Sequence, residues 1–545
     1  MTPDQENVLH TSLRPGITLF NLYDFFAAHE AFEDVWGEAP RPSELRQHLQ
    51  GLVQVAVAFH HQSTGNRDGA RSVLNRALSN LRGGEESFPD LDLKGLVMQL
   101  EPWRDFLQQR TAGGPVPAFP KILSQDERRT QKLLLESGEV KSESSLAETT
   151  TVHSVPLLDL RRQYAGIREE VLAAITRVCD SQSFVLGPEV EALEAEIAAL
   201  TGAASGIGCA SGTEALWLAL VAAGVQPGDS VITTPFSFFA SASSIVRAGA
   251  TPIFVDVDAG TLNLDATLVA RELHARQANA KGASKVRAVL PVHLYGQCAD
   301  MDRFKRIAEE FGVAIVEDAA QAIGAEWNGR GAGSLGVAAA FSFYPTKNLS
   351  AYGDAGIVTT SGSRMAEHMR RLRNRGSPRR YYHDEFGWNG RMDAIQAAVL
   401  RVKLPHIADW NRRRQRHAAT YDKLLGASGL ISKQLTSEPA SVGGIAPVRP
   451  LVRSPQAKHV FHQYVIRAER RGELRKFLAE RKIGSEIYYP LPLHLQPVFS
   501  YLGIKAGDLP VSEQAAQEVL ALPMFPELTE AEIQFVVESI AAFYS

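Results

Sequence analysis

Cysteine is nearly missing from this chain: Cys179, Cys209 and Cys298 are the only three in 545 residues, far apart and without a CxxC pair. That scarcity excludes a disulfide framework and fits buried thiols in a reducing compartment. Long apolar runs are missing too, since none approaches the ~20 residues that span a bilayer. The opening MTPDQENVLH is too polar to read as a secretory signal. Nor is there an excess of positive charge: 57 Lys and Arg stand against 61 Asp and Glu, a net charge of −4. A nucleic acid or an anionic membrane surface is therefore not an expected partner. What remains is a globular protein expected in the cytoplasm.

At 545 residues the chain is too long for one core. Residues 1 to about 110 read as helices, because LFNLYDFFAAHEAFEDVW and ELRQHLQGLVQVAVAFHHQ place apolar residues three and four apart. Arg14-Pro15-Gly16 and Ala39-Pro40-Arg41-Pro42 read as punctuation between them. A stretch rich in Ser, Glu, Lys and Thr follows, and from Gly138 it reads as a linker. After Val155, short β-branched runs alternate with helical periods. SVITTP, TPIFVDVD, VRAVLPVHL, VAIVEDA, AAAFSFY and AGIVTT read as strands buried on both faces of a mainly parallel sheet. Beyond about 405, QYVIRAE and SEIYYP read as strands around the helix GELRKFLAERK. The final LTEAEIQFVVESIAAFY opens with a capping box at Thr529 and Glu532. The expected organisation is a helical domain over 1–123, a linker over 124–154, a large α/β domain over 155–404 and a small α+β domain over 405–545.

Five motifs carry chemistry. SFYPTKNLSAYGDAG holds Lys347 at a strand end, where a lysine amine can form a Schiff base with a cofactor aldehyde. VAIVEDAAQAIGA places Asp318 at the end of a buried run, suited to a protonated pyridine nitrogen, with Gln321 in reach of a ring oxygen. CASGTEALWLAL opens a helix on small residues, an anion site suited to phosphate. TTPFSFFASASSI offers Phe236, Phe238 and Phe239 for stacking, and FGWNGRMDAIQAAVLRVKLP sets Asn389 and Arg391 at a helix entrance. Each motif alone also has a plain structural reading: a surface lysine, a helix-capping aspartate, a capped helix start, core aromatics, a turn. Their order along the chain is what distinguishes them.

Together with PLLDLRRQY, SQSFVLGPEVEALE, PVHLYGQCADMD, FHQYVIR, YYPLPLHLQ and LPMFPELTEAEI, these motifs resemble the DegT/DnrJ/StrS family of sugar aminotransferases, over residues 155 to 545. The resemblance implies a fold-type I aminotransferase architecture with pyridoxal 5′-phosphate as cofactor. It implies Lys347 as the Schiff-base and proton-shuttling lysine, Asp318 at the pyridine nitrogen, and Gln321 near the ring hydroxyl. Gly212, Thr213 and Ser342 would hold the phosphate and Phe238 would stack on the ring. Asn389 would reach the phosphate of a neighbouring subunit's cofactor, making a homodimer with shared sites. His293, Tyr295, Arg391, Tyr488 and Tyr489 become substrate-pocket candidates. The expected reaction moves an amino group from L-glutamate to a nucleotide-linked keto-sugar, with LYGQ, NGRMD and YYPLPLHLQ pointing to the sugar's C-3 position. Two other readings are a non-catalytic cofactor-binding regulator, which stays open, and a sugar dehydratase, which Lys347 argues against because family members of that kind carry His in its place.

Residues 15 to 123 resemble a small helical domain of unknown function. His29 and Glu33 share a helix face, and Glu30, Gln50, Gln54, His60 and Asn66 can join them in a buried polar cluster. A metal held by His29, Glu33 and His60 and a hydrogen-bonded network are alternative readings of that cluster, and a partner-binding or oligomerisation module is a third reading of the domain.

Overall fold

The computed structural model describes residues 3–21, 25–63, 66–108, 117, 119–124, 152, 154–278, 284–431 and 446–545. It divides into two compact units, residues 1–148 and 149–545. Of the linker expected over 124–154, only 124, 152 and 154 onward lie among the described residues.

The first unit holds five α-helices among its described residues: α1 (Pro3–Asn21), α2 (Phe25–Glu38), α3 (Glu44–Ser63), α4 (Arg67–Leu81) and α5 (Leu93–Gln108). Apolar residues at helical spacing, such as Leu49, Leu52, Val55, Ala56 and Phe59 on α3, form the buried stripe. Phe20, Phe32, Phe59 and Trp103 fill the centre, with Phe59 edge-on to Trp103 at 5.1 Å. The break expected at Arg14-Pro15-Gly16 does not occur, and α1 runs through it. Gly16 packs against Phe32 so closely that a Cβ would fall 2.5 Å from its ring, so tertiary packing outweighs the local breaker signal.

The buried polar cluster expected here does not form. Glu30, Glu33 and Gln50 are exposed. Gln54 accepts from Asn80 at 3.0 Å, Asn66 caps α4, and His29 lies 3.3 Å from Glu33. His60 lies against the Phe26 ring. Among the described residues no group of three or more His, Cys, Asp and Glu is arranged to hold a metal ion. The buried histidine is instead His48, 2.8 Å from the Ser87 hydroxyl.

The second unit begins with α6 (Leu160–Ser181), α7 (Pro188–Thr201), β1 (Ser205–Cys209), α8 (Gly212–Ala222), β2 (Ser230–Thr233), α9 (Ala240–Arg247) and β3 (Thr251–Phe254). It continues with α10 (Ala266–Ala278), β4 (Val286–Leu290), α11 (Met301–Phe311), β5 (Ala314–Asp318), β6 (Glu326–Trp327), β7 (Arg330–Gly331), β8 (Ala338–Ser342) and β9 (Gly356–Thr360). Helices α12 (Ser363–Leu372), α13 (Ala394–Lys403) and α14 (Ile407–Ala427) follow, and the expected 404/405 boundary falls in the turn between the last two. The remainder is β10 (Val448–Pro450), β11 (Ala457–Lys458), β12 (Tyr464–Ala468), α15 (Arg471–Glu480), α16 (Pro510–Glu518), β13 (Val519–Leu522) and α17 (Glu530–Tyr544).

Seven strands form the central sheet in the order β1-β9-β8-β5-β4-β2-β3. All run parallel except β9, which is antiparallel to both β1 and β8. The six strands read from the apolar runs are β2, β3, β4, β5, β8 and β9. β1 escapes that reading because two of its five residues are glycines, a composition that weakens a strand pattern. Those glycines are sites of close approach: a Cβ on Gly206 would lie 2.5 Å from the Glu194 carbonyl oxygen. SEIYYP is not a strand. Only Glu486 pairs, with Ala521, while the Tyr488 carbonyl accepts from the Tyr295 hydroxyl and Pro490 ends the run. Two three-stranded sheets accompany the central one, β10-β12-β13 and β11-β6-β7. The capping box is present at Thr529 and Glu532, and Glu532 also pairs with Arg162 at 2.6 Å.

One buried ion pair ties three elements together. Glu194 on α7 pairs with Arg373, and both bind Gly208 on β1: its N–H donates to Glu194 at 2.8 Å and its carbonyl accepts from Arg373 at 2.7 Å. Removing one partner strands the other charge in the interior. Glu194→Ala is expected to destabilise this unit by about 3–5 kcal/mol in urea unfolding, and the double change Glu194→Leu with Arg373→Met by clearly less.

Candidate active site

The six parallel strands end at one edge of the sheet, where open α/β proteins bind their ligands. Asp318 is the last residue of β5 and Ser342 the last of β8; Gly212 starts α8 after β1, and Lys347 follows β8. A Cβ on Gly212 would fall 2.6 Å from Ser342 Cβ, so only glycine allows the helix start this close to the serine. The Ser211 hydroxyl caps α8 by accepting from the Glu214 N–H at 3.1 Å. The N–H groups of Gly212 and Thr213 find no acceptor among the described residues. Two backbone donors, a hydroxyl and a helix dipole thus converge on one spot, an arrangement suited to phosphate.

Asp318 is buried, and burial is the main cause that raises its pKa. The rise is opposed by the Ser241 hydroxyl, donating at 2.7 Å, by the Ala320 N–H at 3.2 Å, and by the charge of Lys347. A carboxylate held this way favours a cationic partner. Lys347 keeps a partly accessible side chain, yet the surrounding protein lowers its pKa to about 8, with Asp318 pulling in the opposite direction. The cleft therefore combines an amine that is readily neutral, a buried acid and an anion cradle. This set fits a phosphorylated ring that carries an aldehyde and a basic nitrogen.

The other candidates divide. Gln321, Tyr295, Tyr488 and Tyr489 form one network: Gln321 accepts from the Tyr295 N–H at 2.6 Å and donates to the Tyr489 hydroxyl at 3.1 Å, and the Tyr295 hydroxyl donates to the Tyr488 carbonyl. Burial, with Asp318 as the neighbouring charge, raises the Tyr489 pKa. Phe238 is 61% exposed and tilts toward Tyr489 with centroids 6.5 Å apart, whereas Phe236 is core. His293 is turned toward Glu317. It is fully buried, its Nδ1 accepts from the Ala299 N–H at 3.2 Å, and its Nε2–H donates to Glu317 at 3.0 Å. Both ring nitrogens are occupied, so none is left for a substrate.

Asn389 and Arg391 lie on an extended segment bound to the cradle by backbone: the Ala210 N–H donates to the Gly390 carbonyl at 3.0 Å, and Cys209 bridges Arg391. The Asn389 side chain is exposed, beside Trp388 and the 99% exposed Phe386. Arg391 reaches Asn374 at 3.4 Å. Ser241 is the residue that sequence reasoning missed; the hydroxyl-rich run SASS after the aromatics was its only signal.

The profile of the DegT/DnrJ/EryC1/StrS aminotransferase family matches residues 165–541, and that of a domain of unknown function, DUF309, matches residues 13–73. A pleiotropic regulatory protein of Geobacillus stearothermophilus is 50% identical over 391 residues, 72% of this chain and 99% of its own length. The UDP-N-acetyl-3-dehydro-alpha-D-glucosamine 3-aminotransferase of Acidithiobacillus ferrooxidans is 42% identical, covering 70% of this chain and 95% of its own. The dTDP-3-amino-3,4,6-trideoxy-alpha-D-glucose transaminase of Streptomyces venezuelae is also 42% identical, covering 73% and 97%. The crystal structure of S. venezuelae DesV superposes with a TM-score of 0.65 at 40% identity, over 72% of this chain and 99% of that one.

In cofactor-free protein, acetylation of Lys347 followed by peptide mass spectrometry is expected to rise with pH through a midpoint near 8. Ordinary lysines titrate near ~10.4. Asp318→Asn removes the charge that favours the ammonium, so the midpoint should move down; an unchanged midpoint would contradict the pairing.

Proposed function

Because the chain belongs to the DegT/DnrJ/EryC1/StrS aminotransferase family, we propose that it transfers an amino group from L-glutamate to the keto carbon of a nucleotide-linked sugar, using pyridoxal phosphate, in amino-sugar biosynthesis. The observation that carries this reading is the opposition of Lys347 and Asp318 beside the Gly212–Ser342 cradle. Bound pyridoxal phosphate supplies an aldehyde for amino transfer and an electron-withdrawing ring.

The chain's own residues do the rest. The N–H groups of Gly212 and Thr213 and the Ser342 hydroxyl would hold the phosphate, and Phe238 would stack on the ring. Asp318, fixed by Ser241, holds a proton at the ring nitrogen. Gln321, anchored by the Tyr295 N–H, has one amide hydrogen left for the ring oxygen. Lys347 Nζ would hold the aldehyde carbon, with water as the leaving group; once displaced, the same Nζ would carry a proton from the donor's α-carbon and later to the carbon that receives the amine. A pKa near 8 leaves a sizeable neutral fraction at neutral pH, as both tasks require. Tyr488, Tyr489 and Arg391 line the substrate side. Amination at C-3 is supported by the descriptions of the Acidithiobacillus and Streptomyces relatives.

The functional unit is a homodimer. Exposed Phe386 and Trp388 beside Asn389 support a second copy covering this face, with Asn389 reaching the partner's cofactor. No helix among the described residues is long and apolar enough to cross a membrane. The three unpaired thiols support the cytoplasm as the site of reaction. The Geobacillus relative favours a second reading, a cofactor-binding regulator without turnover.

An absorbance titration separates the two. The protein should show a visible band that L-glutamate shifts to shorter wavelength and a nucleotide keto-sugar restores, and Lys347→Ala should abolish the band. A band that L-glutamate leaves unchanged would favour the regulator, and no band at all would remove both readings.

A further inference from the structure

A cavity of about 100 Å³ opens beside the lysine-bearing turn, with Thr346, the residue before Lys347, in its wall. Arg414, His462 and Gln463 supply its other polar side chains apart from Tyr488, and Leu158 and Met524 belong to its apolar wall. Arg414 projects from α14 and is 3% exposed. Its Nη1 donates to the carbonyls of Phe461, His462 and Met524 at 3.2, 3.3 and 2.8 Å. Its Nε–H is buried without an acceptor, and among the described residues no carboxylate comes within 4 Å of the guanidinium.

Burial lowers the Arg414 pKa only to about 10, so the charge persists at neutral pH. Glu527 acts on it electrostatically without a contact within 4 Å, and the buried Oε2 of Glu527 has no partner of its own. His462 next to it is held neutral by burial and by the charges of Lys347 and Arg414. The Gln463 Oε1 is likewise buried and unpartnered, and a 180° turn of that amide places an NH₂ donor there instead. An interior cation with no contacting counter-ion is costly, and a carboxylate is the anion a guanidinium pairs with best.

The cavity is small. Its volume lies well below the ~300–1,000 Å³ of pockets for drug-sized ligands. A short aliphatic arm ending in a carboxylate suits this space, with the methylenes against Leu158 and Met524. We propose that Arg414, with Gln463, binds the side-chain carboxylate of the amino donor in this cavity, so that the donor's α-amino group faces Lys347. The assignment rests on the glutamate reading above and gives that donor preference a physical cause.

The test uses the cofactor-loaded full chain and glutarate, which has both carboxylates of glutamate but no amine, with binding followed by calorimetry. Arg414→Lys keeps a charge but loses the fork, and Ala521→Leu fills the cavity from β13 while sparing the three carbonyl contacts of Arg414. Each variant is expected to weaken glutarate binding about tenfold or more, as loss of a charge-assisted hydrogen bond does, and to raise KM for L-glutamate more than it lowers kcat. Binding of UDP, the control probe, should not change in either variant. Wild-type glutarate affinity in either variant overturns the site, as does a wild-type protein that responds to L-glutamate but does not bind glutarate. If wild type binds glutarate, both variants lose it, and L-glutamate still leaves the visible band unchanged, the carboxylate site stands and the donor reading fails.

Discussion

A carboxylate at the buried end of a strand is unfavourable unless something near it is positive or donates hydrogen bonds, and much of the cleft follows from how that demand is met at Asp318. Ser241 on α9 and the Ala320 N–H take one oxygen each, which fixes the carboxyl plane. Lys347 supplies the charge, yet it is itself partly desolvated, so neither group is fully satisfied by the other. The pair is thereby poised to be completed by a third, cationic ring. Close approach of α8 to β8 through Gly212 sets the phosphate cradle at a fixed offset from that pair.

The neighbouring acid shows the contrast. Glu317, one residue earlier on β5, faces the other way and is saturated: it accepts from the N–H groups of Gly333, Leu335 and Gly336 and from His293. Alternation along a strand thus separates a structural carboxylate from a reactive one. Glu317 locks the end of β5, while Asp318 remains available.

That contrast also marks how far sequence could be read. Strands buried on both faces announce themselves as apolar runs, so six of the seven strands of the central sheet were legible, and the ordered motifs located Lys347, Asp318, Gly212 and Ser342 at one sheet edge. β1 was not legible because its glycines answer to neighbours remote in sequence. Helix α1 ran through its Pro-Gly pair for the same reason. His293 read as a pocket residue because PVHLYGQ names a residue type and a strand end but not a direction; its partner Glu317 lies 24 residues away. Arg414 gave no sign at all, since NRRRQRH on a helix looks like a solvated charged face, and only packing against three carbonyls reveals the one arginine that is buried.

The hydrogen bond from Ala210 to Gly390 makes the phosphate cradle and the Asn389 segment one piece of backbone. On the dimer reading, each chain holds its own cofactor with one end of that piece and its neighbour's with the other. A lesion here would not stay private to the chain that carries it. In a cell making intact and damaged copies together, mixed pairs would carry the defect in both sites, so such an allele would behave as partly dominant instead of simply halving the yield.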